Sequence, residues 1–213
     1  LMNEKVTSVS KREQSLMDAA SAISVLTNND LRRSGATSVP EALRLVPGMS
    51  VGQINASQWS ISSRGFSGQY ANKLLVMVDG RAVYTPTLAG VYWDMQQSML
   101  QDIDRIEVIR GPGGTLWGAN AVNGVINIES KSARDTQGGM LYAGGGDVRL
   151  TSEGLRYGAK IGENTYYRVF GSYQLTDSYE RPGGGSAMDR WYSGSGGFRL
   201  DHYEGEDTRF TWQ

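Results

Sequence analysis

The chain has 213 residues, room for one or two domains, and a formal net charge of −1, which gives no electrostatic footprint for nucleic acid. It has no cysteine, which excludes a disulfide framework and a thiolate metal site. With 28 glycines and only 39% hydrophobic residues it contains no run of about 18 apolar residues, so no membrane-spanning helix is predicted; this balance suits membrane β-barrels and soluble β proteins alike.

Residues 1–16 are polar and mixed in charge and read as an exposed N-terminal segment. No signal peptide opens the chain; if the protein is exported, this is a mature or trimmed form. Ala22–Thr27 reads as a strand, and Asn28 to Asp30 as the cap of a short helix ending near Gly35. Ser38-Val-Pro-Glu41 has the form of a capping box, with proline near the first helical position. A helix Glu41–Val46 is then stopped by Pro47-Gly48. Met49–Ile54 and Trp59–Ser63 are predicted strands around the polar turn Asn55–Gln58. Lys73–Val78 is the most apolar strand, with Asp79-Gly80 as a tight turn after it. Tyr84–Trp93 reads as an aromatic loop, and Asp94–Leu100 as one or two helical turns. Arg105–Arg110 and Val125–Glu129 are β-like runs flanking a glycine-rich turn region that contains Gly111-Pro112-Gly113-Gly114.

Past Lys131 the character changes. Ser132–Gly139 is polar and reads as a linker. From Met140 onward, segments of the ~9–11 residue length of a membrane strand alternate in polarity. Tyr167, Val169, Gly171, Tyr173 and Leu175, for example, alternate with Arg168, Ser172, Gln174 and Thr176. The connections alternate as well: Gly162–Asn164 is short, Asp177–Asp189 long, Tyr203–Asp207 short. The pattern predicts strands near 139–146, 149–161, 165–176, 190–202 and 208–213. A soluble antiparallel sheet with one wet face has the same period, so the alternation alone leaves both readings open.

Several ordered pieces carry a family resemblance. Arg105-Ile-Glu107-Val-Ile-Arg110-Gly-Pro112, followed by Leu116-Trp117-Gly118 and Asn123-Gly124-Val-Ile-Asn127-Ile, resembles the plug domain of TonB-dependent outer-membrane receptors. Leu43-Arg-Leu-Val-Pro47-Gly48, Ile61-Ser-Ser-Arg64-Gly-Phe66 and Leu75-Val-Met-Val-Asp79-Gly-Arg81 fit the same family in order. The resemblance runs from about Val6 to Ala133. It implies an α+β plug, a small mixed sheet with short helices, followed by antiparallel strands of an incomplete outer-membrane β-barrel. The expected divisions are a periplasmic segment 1–16, a plug 17–133 and the first five or so barrel strands in 138–213. Receptors of this class close 22 strands, and open edges are not tolerated in lipid, so the chain is expected to be the N-terminal piece of a longer receptor.

The resemblance also implies roles. Arg64, Arg110 and Glu107 fall to a plug–barrel lock, because arginines at these motif positions meet acidic side chains of the inner barrel wall, where guanidinium–carboxylate pairs are strong. The alternative for both arginines is a surface position, paired with Glu107 or Asp104 or with nothing. Ligand contact is expected from outward plug loops near Asn55–Trp59, Phe66–Asn72 and Tyr84–Trp93; Asn55, Gln58, Trp59, Tyr70, Tyr84, Tyr92 and Trp93 are the candidates, unless they serve packing. Lys5, Val6, Thr7, Ser8 and Val9 are a weak match to the TonB box, a strand-forming segment that pairs edge-on with the periplasmic partner; the box otherwise lies upstream. The implied partners are TonB with ExbB/ExbD, outer-membrane lipid and an iron chelate or similar ligand.

Nothing in the sequence supports catalysis, and no cofactor or metal is implied. Gly111–Gly114 lacks the Gly-Lys-Ser/Thr ending of a phosphate loop. Asp102 and Asp104 suit solvated or capping roles better than acid–base work, and His202 has no second histidine or cysteine to share a metal. The expected function is active transport of a scarce bulky ligand across the outer membrane. The alternative is a soluble periplasmic interaction module built on the plug fold.

Overall fold

A computed structural model describes residues 5–6, 14–15, 22–85, 87, 90–205 and 208–213. The chain divides into two compact units. The first holds the chain to Ser130 except Asn55–Ser57; the second holds Lys131–Gln213 together with Asn55–Ser57.

In the first unit, β1 (Lys5–Val6) pairs antiparallel with β2 (Gln14–Ser15). β3 (Ile23–Thr27) leads into α1 (Asn28–Arg33), and α2 (Val39–Ala42) continues as a 3-10 turn, Leu43–Leu45. β4 (Met49–Gln53) and β5 (Trp59–Ser63) form a separate hairpin. β6 (Leu74–Val78), β7 (Arg81–Ala82), β8 (Ile103–Arg110), α3 (Gly114–Trp117) and β9 (Gly124–Ser130) complete the unit. The main sheet has the order β3-β8-β9-β6-β7. Only β6 and β9 run parallel, so the sheet is mixed.

Strand parity gives this sheet two different faces. One turns Leu26, Ile106, Val108, Ile126, Ile128, Leu74 and Val76 into the main core, against Leu31, Val39, Leu43 and Val46 of the helical segment and Trp59 and Ile61 of the hairpin. Fully burying each such aliphatic side chain contributes about 1.5–3 kcal/mol. The other face carries a smaller apolar cluster of Leu75, Met77, Ile109, Ala121 and Val125, and farther along β8 and β9 it becomes charged.

Local departures from the predicted elements have physical reasons. Thr27 caps α1, because its hydroxyl reaches the Asp30 amide while the Asp30 carboxylate accepts from the Thr27 amide; Asn28 instead donates to the carbonyl of Ile103 at 2.7 Å. Ser38 caps α2 as predicted, but the Glu41 carboxylate turns one residue further back, accepting from the amide and hydroxyl of Thr37. Asp94–Met99 forms no helix, since its polar residues supply no apolar stripe; a turn at Trp93–Met95 is followed by irregular chain, and Leu100 opens a 3-10 turn, Leu100–Asp102, that leads into β8. The glycine-rich region holds the one-turn α3, closed by Gly118 at φ 79°. Gly124 is required by close packing, since a Cβ there would strike the carbonyl oxygen of Ile109.

The second unit is an open antiparallel sheet of β10 (Gly138–Gly144), β11 (Arg149–Ile161), β12 (Thr165–Thr176), β13 (Trp191–Glu204) and β14 (Thr208–Trp212), in chain order. Its polarity is inverted relative to a soluble sheet. Leu141, Leu155, Tyr157, Val169, Tyr173, Tyr192, Phe198 and Trp212 share one face by register and are all exposed. The opposite face carries Arg156, Arg168, Arg199 and Asp201, the last three of them buried. On that face aromatic rings cover glycines across strands, Tyr142 over Gly154 and Phe170 over Gly197, where the missing side chain lets the ring lie flat against the ladder. The predicted linker is ordered: Arg134–Thr136 forms a 3-10 turn leading directly into β10.

Candidate functional site

Three motifs distant in sequence meet at Arg64 and Arg110. Arg64 follows β5 and begins three consecutive residues in the left-handed region, Arg64 at φ 58°, Gly65 at 90° and Phe66 at 58°. For Arg and Phe such backbone is uncommon, and a run of it marks a segment held by its surroundings. The bend directs the Arg64 guanidinium to the carbonyl of Arg110, 3.2 Å away. Arg110, the last residue of β8, donates through Nη1 to the carbonyl of Pro47 at 2.8 Å. Gly48 and Gly111 line the pair and are called for by their backbone, at φ 77° and 146°, rather than by lack of space. Arg64 is exposed, Arg110 half-buried, and the buried Nε of Arg110 has no hydrogen-bond partner. Two cations therefore sit together, each held by a carbonyl rather than by a carboxylate.

Glu107 does not join them. Odd positions of β8 face away from Arg110, and there the fully buried Glu107 carboxylate accepts from Nε of Arg105 at 2.8 Å. Arg105 also pairs with Asp104 at 2.9 Å and with Glu129, its register partner on β9. Burial works to lower the Arg105 pKa, but the hydrogen bond it donates to Glu107 and the charges of Glu129 and Glu107 outweigh it and raise the pKa. Arg105 is the mostly buried, ion-paired cation that sequence reasoning missed. The available signal was parity, since Arg105 and Glu107 share a strand face.

The ligand candidates separate by burial. Trp59 and Trp93 belong to the main core, each only 6% exposed, with the Arg44 guanidinium 5.3 Å above the Trp59 ring. Tyr70 and Tyr92 form an accessible tilted pair with centroids 5.5 Å apart. Gly90 fits against Tyr70, since a Cβ on it would come within 2.7 Å of the Tyr70 backbone. Desolvation, Tyr70 and Asp94 push the Tyr92 hydroxyl up. Tyr84 is half-buried, and the loop's Pro86, Leu88 and Ala89 lie outside the described residues. Asn55 caps its own turn, accepting from the Ser57 amide at 3.0 Å, and the Gln58 carbonyl accepts from the Ile54 amide at 2.9 Å. Within the second unit, the Asp189 carboxylate accepts from the amides of Ala56 at 2.8 Å and Tyr179 at 2.9 Å. The Ala56 bond, ahead of the Tyr179 bond, holds that carboxyl below its ordinary range. Of the N-terminal candidates, Lys5 and Val6 form β1, whereas Thr7, Ser8 and Val9 lie outside the described residues.

A family model described as the TonB-dependent receptor plug domain matches residues 15–125, just over half of the chain. The vitamin B12 transporter BtuB of Vibrio cholerae serotype O1 is 30% identical over 164 residues, which is 77% of this chain and 26% of that protein. The ferric-catecholate import receptor Fiu of E. coli K12 superposes with a TM-score of 0.71 at 23% identity, over 93% of this chain and 27% of that one. The pyoverdine receptor FpvA of Pseudomonas aeruginosa PAO1 gives 0.73 at 19% identity, over 97% of this chain and 29% of that one. At these identities the solved structures speak for the fold alone. The chain spans about a quarter of the length of these relatives, which are transporters and receptors rather than enzymes. With the plug model covering most of the first unit and the strands that follow it matching the same solved receptors, the chain belongs to the TonB-dependent receptor plug family of outer-membrane proteins.

Proposed function

We propose that the chain is the pore-blocking plug and opening wall of a receptor that takes up a scarce, bulky ligand, an iron–siderophore chelate or a comparable molecule such as a cobalamin, across the outer membrane. The observation that carries this reading is the plug family match followed directly by a sheet whose apolar face is exposed. Such a face suits lipid and not water. Ligand bound outside biases the N-terminal segment toward TonB, and TonB, powered by ExbB/ExbD and the proton gradient, pulls the plug aside. Lys5–Val9 is the proposed docking strand. Tyr70, Tyr84 and Tyr92, with Asn55 and Gln58, are the proposed ligand-facing groups.

Arg64 and Arg110 are the proposed lock. Their present partners are carbonyls, so both guanidiniums retain donors for carboxylates of a barrel wall. Polar contacts of this kind release under load without a large apolar surface having to separate. Glu107 acts at one remove, fixing Arg105 and the β8–β9 pair.

The test is uptake of labelled cobalamin and ferric siderophores by a strain lacking the full-length receptor, restored by plasmid, with and without TonB. Uptake of at least one ligand that needs both proteins supports the reading. Restored cells that take up none of the panel, with the protein found soluble in the periplasm, favour the plug-like interaction module.

A further inference from the structure

The chain passes from β9 at Ser130 into residues 131–137, and Lys131, Ala133, Arg134 and Thr136 of that segment meet the second unit's own strands. The Asp201 carboxylate, completely buried on β13, accepts from the Ala133 amide at 2.6 Å. It also accepts from Arg199 Nε at 2.9 and 3.1 Å and from the Thr211 hydroxyl of β14 at 2.6 Å. Arg168 of β12 donates through Nη1 to the Lys131 carbonyl at 2.9 Å. The Thr136 carbonyl rests on Gly158 of β11, where a side chain would exclude it. The Arg134 guanidinium stands over Tyr166 and Tyr203, 5.9 and 5.7 Å from their centroids. Inside the segment, the Ser132 hydroxyl donates to Asp135 at 2.6 Å and the Thr136 hydroxyl to the Ser132 carbonyl at 3.0 Å. A surface linker needs none of this. A buried carboxylate that accepts from the segment, from its own strand and from the next strand fixes the position of each.

We propose that Asp201 and Arg168 form an anchor that pins residues 131–137 to the barrel wall and so sets the point at which displacement of the plug stops. The geometry stands alone; the purpose rests on the transport reading. The pinned segment lies at the sheet end that carries the short turn Gly162–Asn164, the end at which outer-membrane barrels face the periplasm. A pull entering from the N-terminus runs along the chain until it reaches Lys131, where Arg168 and Asp201 pass it to β12 and β13. These two strands are paired along the whole of β12, from Thr165 against His202 to Thr176 against Trp191. The plug can then move or unravel while β10, the first strand of the wall, keeps its register with β11.

The test is single-molecule pulling on an N-terminal handle of the full-length receptor in lipid bilayers. In the natural protein, extension is expected to end at Lys131. Ala133→Pro deletes the amide that Asp201 accepts and keeps the local backbone, since Ala133 already has φ −63°. In that variant the end point should move toward Gly138, and fully to it when Arg168→Ala also frees the Lys131 carbonyl. Freeing the whole segment, about 7 residues at about 3.4 Å each, adds about 24 Å. Asp201→Ala should give the same added length as Ala133→Pro; if that variant fails to insert, Ala133→Pro, which leaves the wall untouched, decides. A natural end point at Gly138, or variants with an unchanged end point, overturns the anchor. Loss of ligand uptake with the end point still at Lys131 removes the transport reading and leaves the anchor standing.

Discussion

Arg105 and Glu107 lie two residues apart on one face of β8 and share an ion pair at 2.8 Å, the carboxylate fully buried and the guanidinium mostly so. Glu129 on β9 and Asp104 complete the ring around the cation. The plug sheet thus has one apolar face and one that is part apolar and part ionic.

Arg105→Ala should therefore destabilise the plug by about 3–5 kcal/mol, because it leaves Glu107 buried with its strongest donor gone. The double variant Arg105→Met/Glu107→Leu should recover much of that loss, as volume-matched apolar pairs often do. Urea unfolding of the full-length receptor, read by plug tryptophan fluorescence, checks both. Equal losses in the single and double variants would contradict the pairing.

Asp30 gives the first helix a pH dependence. The Thr27 hydroxyl, then the Thr27 amide, hold its carboxyl below the ordinary value of 3.8. A depressed folded-state pKa means that the contribution is complete above that ordinary value and fades as pH falls through the lower folded-state one. Amide exchange in residues 28–33 should accelerate below about pH 4 beyond the intrinsic trend. Asp30→Ala should flatten this dependence and raise exchange at neutral pH.

Gly124→Ala should cost about 1–3 kcal/mol, since the new methyl meets the Ile109 carbonyl oxygen, a backbone atom within the ladder, and Leu74 behind it. Gly52→Ala, on the exposed hairpin where nothing lies within 4 Å, is the matched control and should stay within about 0.5 kcal/mol. Melting of the two variants beside the natural receptor separates them.

Arg64→Glu with Arg110→Glu should loosen the plug without unfolding its core. Within the first unit, the pair of substitutions removes the hydrogen bonds that these guanidiniums donate to the carbonyls of Arg110 and Pro47 and leaves the apolar core intact. Cells carrying the double variant should admit large antibiotics several-fold faster, without TonB. Unchanged permeability would remove the lock role.

The period-2 strands were legible because burial writes itself into alternation: Trp59–Ser63 and Thr165–Thr176 match the predicted ranges residue for residue. The two turns marked by Asp79-Gly80 and Gly162–Asn164 follow from local backbone chemistry and were equally plain, with Asp79 fixing its turn through the Ser130 amide and hydroxyl at 2.8 Å. Tertiary relationships were not legible. The convergence of Pro47, Arg64 and Arg110 leaves no local periodicity, and motif order alone does not place them together. Nor does composition say that a polar segment such as 131–137 is pinned, because its partners, Asp201 and Arg168, come from strands about 35–70 residues downstream. Asp94–Leu100 misled because mixed polar residues with a few apolar ones fit a short helix and irregular chain equally well.

The central claim is that the sheet from Gly138 to Trp212 presents its apolar face to lipid. Single spin labels placed in turn along 167–175 of the full-length receptor in bilayers test it directly. The account predicts high oxygen accessibility and low accessibility to a water-soluble nickel chelate at 167, 169, 171, 173 and 175, with oxygen accessibility low at 168, 170, 172 and 174. Equal exposure of both sets to the nickel chelate, or an inverted alternation, would contradict it.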